Sequence, residues 1–224
     1  MASGIQLKPK NAANTSFHVT ARGVGNLRPF RRIADKHDFL ARFAWYLSEK
    51  RYVAASGRPY DKLFDEVAVL AFCILDNHFH LILHQFTDNG MERLMRRVLC
   101  GFGRSFNARS DWHGPVFDGR YAANPLIHPD HLRESIAYTI LNDPIAQLEN
   151  EFCSNAIMLG DQTSSWLRRD LALGVFDGVK GYCDYMNRTG PRRVSSKLRS
   201  WNIDPTLHPY RPISSPRVPT HSRF

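Results

Sequence analysis

Apolar and polar positions recur with two different periods along this chain, and the periods divide it into strands and helices. Residues 16–21 alternate polar and apolar, which is typical of a strand with one wet face. From about residue 33 to 50, Phe39, Phe43 and Leu47 recur at the spacing of an amphipathic helix. The rest of the pattern predicts a hairpin with strands at 67–75 and 78–84, a helix at 91–109, a broken extended segment at 116–127, and a helix from about 130 to 141.

The order of these elements predicts an α+β fold. Strand, helix, hairpin, helix, strand and helix in succession are typical of a ferredoxin-like antiparallel sheet with helices on one face. We expect a flexible N-terminus at 1–15, a compact domain at 16–150, a helical C-terminal extension at 151–190, and a basic, proline-rich, disordered tail at 191–224.

The charge of the chain narrows the class of its partner. Its 224 residues carry a formal net charge of +9, which favours a polyanion, nucleic acid before an anionic membrane. The 4 cysteines are scattered without a CxxC pair, so neither a disulfide framework nor a zinc knuckle is expected. No apolar run approaches the ~20 residues of a membrane span, and the N-terminus lacks a signal pattern. We therefore expect a cytoplasmic, nucleoid-associated protein without a membrane partner.

Two histidines on the second strand of the hairpin are the first candidates for chemistry. Residues two apart on a strand point to the same face, so His78 and His80 present their imidazoles side by side while Phe79 points into the core. Two neutral imidazoles form part of a site for a divalent cation. Most histidine pairs at this spacing are packing or surface residues, so a metal site needs a further ligand from elsewhere.

The last predicted helix of the domain offers that ligand. Tyr138 and Asn142 are four residues apart and share one helix face. If this face covers the histidine strand, the amide oxygen of Asn142 completes the site and Tyr138 lies beside it. A cation next to a tyrosine nucleophile suits phosphoryl transfer, because a phosphotyrosine ester keeps the energy of the cleaved bond for rejoining.

Several other residues have two interpretations at this point. A tyrosine at helical spacing is more often a core residue than a nucleophile. Tyr121 is a rival nucleophile, although it has no candidate ligand one turn away. His18 and His84 either line the site or are strand histidines without a catalytic role. The candidates for phosphate contact, or for a merely solvated surface, are Arg22, Arg104 and Arg120.

Four segments of the chain, taken together, carry a family resemblance. They are the strand and arginine-glycine exit at 17–23, the histidine hairpin at 73–83, the loop at 114–121, and the tyrosine helix at 138–144. In this order they resemble the HUH single-tyrosine transposases of the IS200 type, most closely the REP-associated tyrosine transposases. The resemblance covers about 17–144, and the helices near Trp166 and Tyr182 resemble the usual C-terminal extension.

The resemblance implies a set of site residues and a cofactor. His78 and His80 would bind the metal with Asn142 as the third ligand. Tyr138 would be the nucleophile that forms a 5′-phosphotyrosine and leaves a free 3′-OH. The expected cofactor is Mg²⁺ or Mn²⁺, and mixed nitrogen and oxygen ligands also admit Zn²⁺ in vitro.

Two positions depart from the pattern of the family. Asp143 stands between Asn142 and Pro144, which are usually adjacent, and this insertion bears on whether Asn142 reaches the histidines. Asp76 replaces the proline that is common before the Asn-His of the hairpin. Aspartate also suits a turn, so the hairpin is still expected.

The function expected from these residues is metal-dependent cleavage and strand transfer of single-stranded DNA at a hairpin or palindromic repeat. One alternative is a non-cleaving protein of domesticated transposase origin that binds structured single strands. Another is a rolling-circle replication or plasmid-mobilisation nickase, which usually carries further domains. Single-stranded or hairpin DNA is the expected partner of all three, and the protein would be a monomer or a homodimer.

Overall fold

A four-stranded antiparallel sheet forms the centre of the fold. The computed structural model describes residues 12–142 and 151–189. Its strands are β1 (Thr15–Arg22), β2 (Val67–Ile74), β3 (His78–Gln85) and β4 (Ala122–Leu126), in the order β2-β3-β1-β4. Each neighbouring pair is antiparallel, and this order is the ferredoxin-like one. The predicted α+β class and antiparallel sheet are therefore confirmed.

Three helices belong to the predicted domain, and three short ones follow it. The first three are α1 (Ile33–Leu47), α2 (Gly90–Arg109) and α3 (Pro129–Leu141). The others are α4 (Asn155–Leu159), α5 (Arg169–Gly174) and α6 (Val179–Arg188). In the part of the chain that the structure describes, none of these helices has the length and apolarity to cross a membrane.

One face of the sheet carries an apolar layer under α1 and α2. The odd-numbered residues of β1 and β3 point to this face, and Phe17, Val19 and Phe79 are fully buried there. Phe39 of α1 and Phe102 of α2 meet at a ring-centroid distance of 5.4 Å. The large aromatic side chains of this layer fix β3 in the middle of the sheet, which sets the position of the residues on its other face.

Helix α3 lies on the opposite face of the sheet, which corrects the expectation of helices on one face. Its residues Ile136, Ala137 and Ile140 pack with Ile82 of β3 in a second apolar cluster. The reason is that this face also carries apolar side chains, mostly on β2 with Ile82 of β3 and Leu126 of β4, and a helix must cover them. The consequence is that α3 comes to lie over the same face as His78 and His80.

The C-terminal extension packs on the edge strand β2. Cys153 forms an antiparallel bridge with Cys73, and Leu167 forms a parallel bridge with Val69. The sequence pattern predicts a helix at 164–176, but α5 begins only at Arg169. The side chain of Ser164 accepts hydrogen bonds from the backbone of Trp166 and Leu167, which holds this segment extended along β2.

Parts of three predicted segments fall outside the described residues. Of the predicted flexible N-terminus at 1–15, residues 12–15 are described, and Gln85 donates a hydrogen bond to the carbonyl of Ala12 over 2.7 Å. Asp143 and Pro144 lie outside the described residues, as does the predicted basic tail at 191–224.

Candidate active site

The face of β1 under α3 is polar, unlike its other face. Ser16, His18 and Thr20 alternate with the apolar residues of β1, and all three are buried. Thr20 is directly opposite His80 of β3 in the sheet register. Buried polar side chains require hydrogen-bond partners or a bound ion. Apolar packing therefore does not account for this polar strip of β1, and we take it as the candidate site.

The His78 ring is oriented by the residue before it. Its Nδ1 lies 2.7 Å from Oδ1 of Asn77, which accepts the Nδ1 hydrogen. In the neutral ring, the lone pair is then on Nε2. This orientation by a neighbouring carbonyl oxygen is the arrangement that metal-binding histidines generally have.

The His80 ring is held by a second histidine on the adjacent strand. Nδ1 of His80 lies 2.9 Å from Nε2 of His18, and the two rings stack at a centroid distance of 5.2 Å. His78 and His80 meet edge to face at 4.9 Å. The structure therefore confirms that His78 and His80 share one face of β3, and it adds His18 to them.

His18 is neutral at ordinary pH because it is buried. Its side chain is 1% exposed, and burial lowers its pKa to about 4. The other ring nitrogen, Nδ1, has no hydrogen-bond partner among the described residues. A neutral ring carries one hydrogen, so His18 can accept at Nε2 while its hydrogen is on Nδ1.

Tyr138 of α3 lies against the histidines, so the helix face that it shares with Asn142 covers the histidine strand. The centroid of its ring is 5.7 Å from that of His80 and 5.9 Å from that of His18, both in edge-to-face contacts. α3 begins at Pro129, whose fixed φ suits the first turn, and the His128 side chain accepts from the amide of Asp130. The start of the helix is thereby fixed about two and a half turns before Tyr138.

Asn142 occupies the C-cap position of α3, immediately after the last helical residue. It is half-buried and still has helical backbone angles, with φ −72° and ψ −22°. This conformation keeps it one turn beyond Tyr138, on the side of the helix that faces the histidines. Its role as third metal ligand stays a prediction.

The three candidate arginines lie in different places. Arg22 ends β1 directly opposite His78 in the sheet register, so it lies beside the histidine pair. Arg120 is exposed in a bulge next to that end of β1. The bulge arises because the residues from Asp118 to Tyr121 stand opposite only Ala21 and Arg22. Arg104 is exposed on α2, which covers the opposite face of the sheet, so the structure separates it from the histidines.

The rival nucleophile Tyr121 lies on the other face of the sheet from the histidine pair, against apolar side chains. Its ring packs against the apolar layer under α1 and α2. Burial and the nearby carboxylate of Glu92 raise the pKa of Tyr121, which makes its hydroxyl harder to ionise. Tyr121 therefore lies with the layer on the opposite face of the sheet from Tyr138.

The Asp76 departure from the family pattern has a structural explanation. Its carboxylate accepts from Arg28 and lies 3.3 Å from Nζ of Lys36, while its carbonyl accepts from the amide of Phe30. The hairpin is thus tied to the segment before α1. A proline at this position would lack the carboxylate that makes these ion pairs.

Sequence reasoning left the position of His18 open, and the structure places its ring against that of His80. The missing signal was the diagonal position of His18 relative to His80, two residues from the direct cross-strand partner. Only the strand register reveals such a contact. His84, the other open case, is half-buried and pairs with the Ser16 hydroxyl at 2.9 Å, farther along β3 from Tyr138.

The residues present suit a divalent cation bound by mixed ligands. The donor set contains both nitrogen and oxygen. The imidazoles of His78 and His80 are buried with their Nδ1 atoms in hydrogen bonds, and Asn142 offers an amide oxygen. In the described part of the chain, no three side chains of the His, Cys, Asp and Glu types are placed to hold a metal. The candidate site contains two side chains of these types, His78 and His80, with Asn142 as the predicted third ligand.

Comparison with known proteins yields a structural similarity and no match in sequence. No protein-family model matches the chain, and no curated protein matches it. A solved REP-associated tyrosine transposase, bound to a REP hairpin, has 11% sequence identity and a TM-score of 0.48. The similarity covers 74% of this chain and 91% of that one. The relationship is a distant structural one and assigns no activity.

Proposed function

We propose that the protein is a metal-dependent endonuclease and strand transferase for single-stranded DNA, and that it acts on hairpin or palindromic repeat DNA. Tyr138 is the nucleophile, and His78, His80 and Asn142 hold Mg²⁺ or Mn²⁺. The observation that carries this proposal is the contact between the buried histidine pair and the Tyr138 ring on a helix that crosses over it. The ordered sequence motifs support the same conclusion independently.

The tyrosine performs a transesterification that needs no external energy. Its oxygen forms a bond to the phosphorus of the scissile phosphate while the bond from phosphorus to the 3′ oxygen breaks. The phenol loses its proton and the leaving 3′ oxygen gains one, so charge and protons balance. The products are a 5′-phosphotyrosine and a free 3′-OH, and attack by another 3′-OH reverses the step to join strands.

The surrounding residues bind and orient the phosphate. The chemistry that a bound divalent cation supplies is polarisation of a non-bridging phosphate oxygen and orientation of the scissile bond. Arg22, opposite His78, is placed to contact the same phosphate, and Arg120 lies beside the end of the same strand. The net charge of +9 adds a general attraction to the DNA backbone.

One observation favours the alternative of a non-cleaving protein that binds structured single strands. Tyr138 is only 8% exposed, and His78 and His80 are 5% and 4% exposed. A nucleophile must reach the phosphorus directly, so cleavage by a tyrosine this buried requires α3 or the Tyr138 side chain to move when DNA binds. A protein in which this movement does not occur would bind DNA without cutting it.

The test is a cleavage assay with labelled hairpin oligonucleotides drawn from the DNA that flanks the gene. With Mn²⁺ or Mg²⁺, the wild type should form a covalent protein–DNA adduct that survives on a denaturing gel. Tyr138→Phe should abolish the adduct and leave DNA binding nearly intact, since only the hydroxyl is lost. Tyr121→Phe is the matched control and should form the adduct as the wild type does.

Three results would count against the proposal in different ways. Adducts in Tyr138→Phe would refute the assigned nucleophile. Loss of the adduct in Tyr121→Phe, with Tyr138 intact, would transfer the role to the rival tyrosine. Tight binding of hairpins by the wild type without any cleavage would support the non-cleaving alternative.

A further inference from the structure

We propose that His18 is a positioning residue for the metal site. By accepting a hydrogen bond from Nδ1 of His80, it holds the His80 ring and selects the form in which Nε2 carries the lone pair for the cation. This inference rests on the proposed function, because it assigns a role to His18 only if His80 binds metal.

The geometry between the two rings leaves room for a single shared hydrogen. Nε2 of His18 and Nδ1 of His80 are 2.9 Å apart, a normal hydrogen-bond length. If His80 donates, its Nε2 has the lone pair. If His18 donates instead, the single hydrogen of a neutral His80 is on Nε2, and that nitrogen cannot bind a cation. The direction of this one hydrogen bond therefore decides whether His80 is a ligand.

The neighbouring ligand shows the same arrangement with a different partner. Nδ1 of His78 faces the amide oxygen of Asn77 at 2.7 Å, and that oxygen can only accept. His18 thus does for His80 what Asn77 does for His78. Both histidines then present the same nitrogen, Nε2, as the lone-pair donor for a cation.

The burial of His18 and its place in the sheet fix the orientation of the His80 ring. Both side chains are buried, and their rings stack with an interplanar angle of 19°. Both residues are on central strands, since β1 and β3 are neighbours in the middle of the sheet. Tyr138 contacts both rings, so a shift of His18 would also disturb the nucleophile.

The test compares two substitutions that differ in hydrogen-bonding capacity. In His18→Gln, the amide oxygen can take the place of Nε2 and accept from His80. In His18→Leu, the volume is similar but no acceptor remains. Loss of such an orienting partner typically weakens metal binding about 10- to 100-fold. Titration of the full-length, DNA-free protein with Mn²⁺, followed by calorimetry, measures this without any cleavage step.

The expected result is that His18→Leu binds Mn²⁺ about 10- to 100-fold more weakly than the wild type and that His18→Gln restores most of the loss. Equal affinity of His18→Leu and the wild type would overturn the inference, as would equal weakness of the Leu and Gln variants. Absence of Mn²⁺ binding by the wild type, or unchanged binding in His80→Ala, would instead refute the proposed metal site and the role of His18 with it.

A spectroscopic measurement covers the case in which a variant does not fold. Nitrogen NMR of the metal-free wild type, with labelled histidine, distinguishes a hydrogen on Nδ1 from one on Nε2. We expect His80 to carry its hydrogen on Nδ1 and His18 to carry its own on Nδ1 as well. A hydrogen on Nε2 of His80 would contradict the inference.

Discussion

Acid should destabilise the protein through His18, and the structure gives the size of the effect. Burial lowers the pKa of His18 from 6.5 to about 4 in the folded state. Between pH 6.5 and pH 4, the unfolded chain binds a proton at His18 and the folded protein does not. The free energy of unfolding therefore falls as the pH falls. The rings of His80 and Tyr138 face His18, and neither provides a carboxylate that would stabilise an imidazolium.

The magnitude follows from the difference between the folded and unfolded pKa values. From pH 7.5 to pH 5, His18 alone should reduce the free energy of unfolding by about 2 kcal/mol, and by about 3 kcal/mol once the pH is below 4. The loss is absent well above pH 6.5, where His18 is neutral in both the folded and the unfolded state. A loss of about 2–3 kcal/mol is a substantial fraction of the roughly 5–15 kcal/mol by which folded proteins are stable.

The assay is urea unfolding of the wild type and His18→Gln at pH 7.5 and pH 5, with a chelator present. The wild type should lose about 2 kcal/mol more than the variant between the two pH values, because glutamine does not titrate. His113→Gln, at an exposed histidine, controls for the loss of any histidine. Equal losses in the wild type and His18→Gln would refute the reasoning, since they would show that His18 is protonated as easily when folded as when unfolded.

Three further predictions concern the frame around the site. Asp38→Ala should reduce the free energy of unfolding by about 1–3 kcal/mol, because it leaves the buried guanidinium of Arg42 without its carboxylate partner, and an unchanged urea midpoint would contradict this. Phe79→Ala should cost about 3–5 kcal/mol and Phe79→Leu clearly less, as measured by the same unfolding, because Phe79 is fully buried among aromatic rings. Gly23→Ala should lower both the melting temperature and hairpin cleavage, because an added Cβ would be 2.4 Å from the carbonyl oxygen of Leu27, and a wild-type melting temperature would contradict this.

The sequence pattern was sufficient for the strands and for the long helices. β3 begins at His78 as predicted, because a turn pair precedes an apolar run of alternating faces. α2 is observed at Gly90–Arg109 against a prediction of 91–109, because its apolar positions repeat over five turns. Short helices carry less periodic information. α4 was not predicted, and α5 is much shorter than the expected helix.

The candidate site was predictable where it depended on local spacing. The shared face of His78 and His80 follows from strand geometry, and the contact of Tyr138 with the histidines follows once α3 covers that strand. The face on which α3 packs was not predicted, because it depends on the apolar area left uncovered beside β2. The contact between His18 and His80 depends on strand register across 62 residues of chain, which spacing alone does not give.

The most direct test of the central claim is the identity of the residue and of the DNA end in the covalent adduct. After cleavage of a hairpin oligonucleotide, mass spectrometry of the digested adduct should place a nucleotide on the peptide that contains Tyr138, linked through a 5′ phosphate. The released fragment should end in a free 3′-OH. A nucleotide on another residue, a linkage through a 3′ phosphate, or release of both fragments without an adduct would contradict the account.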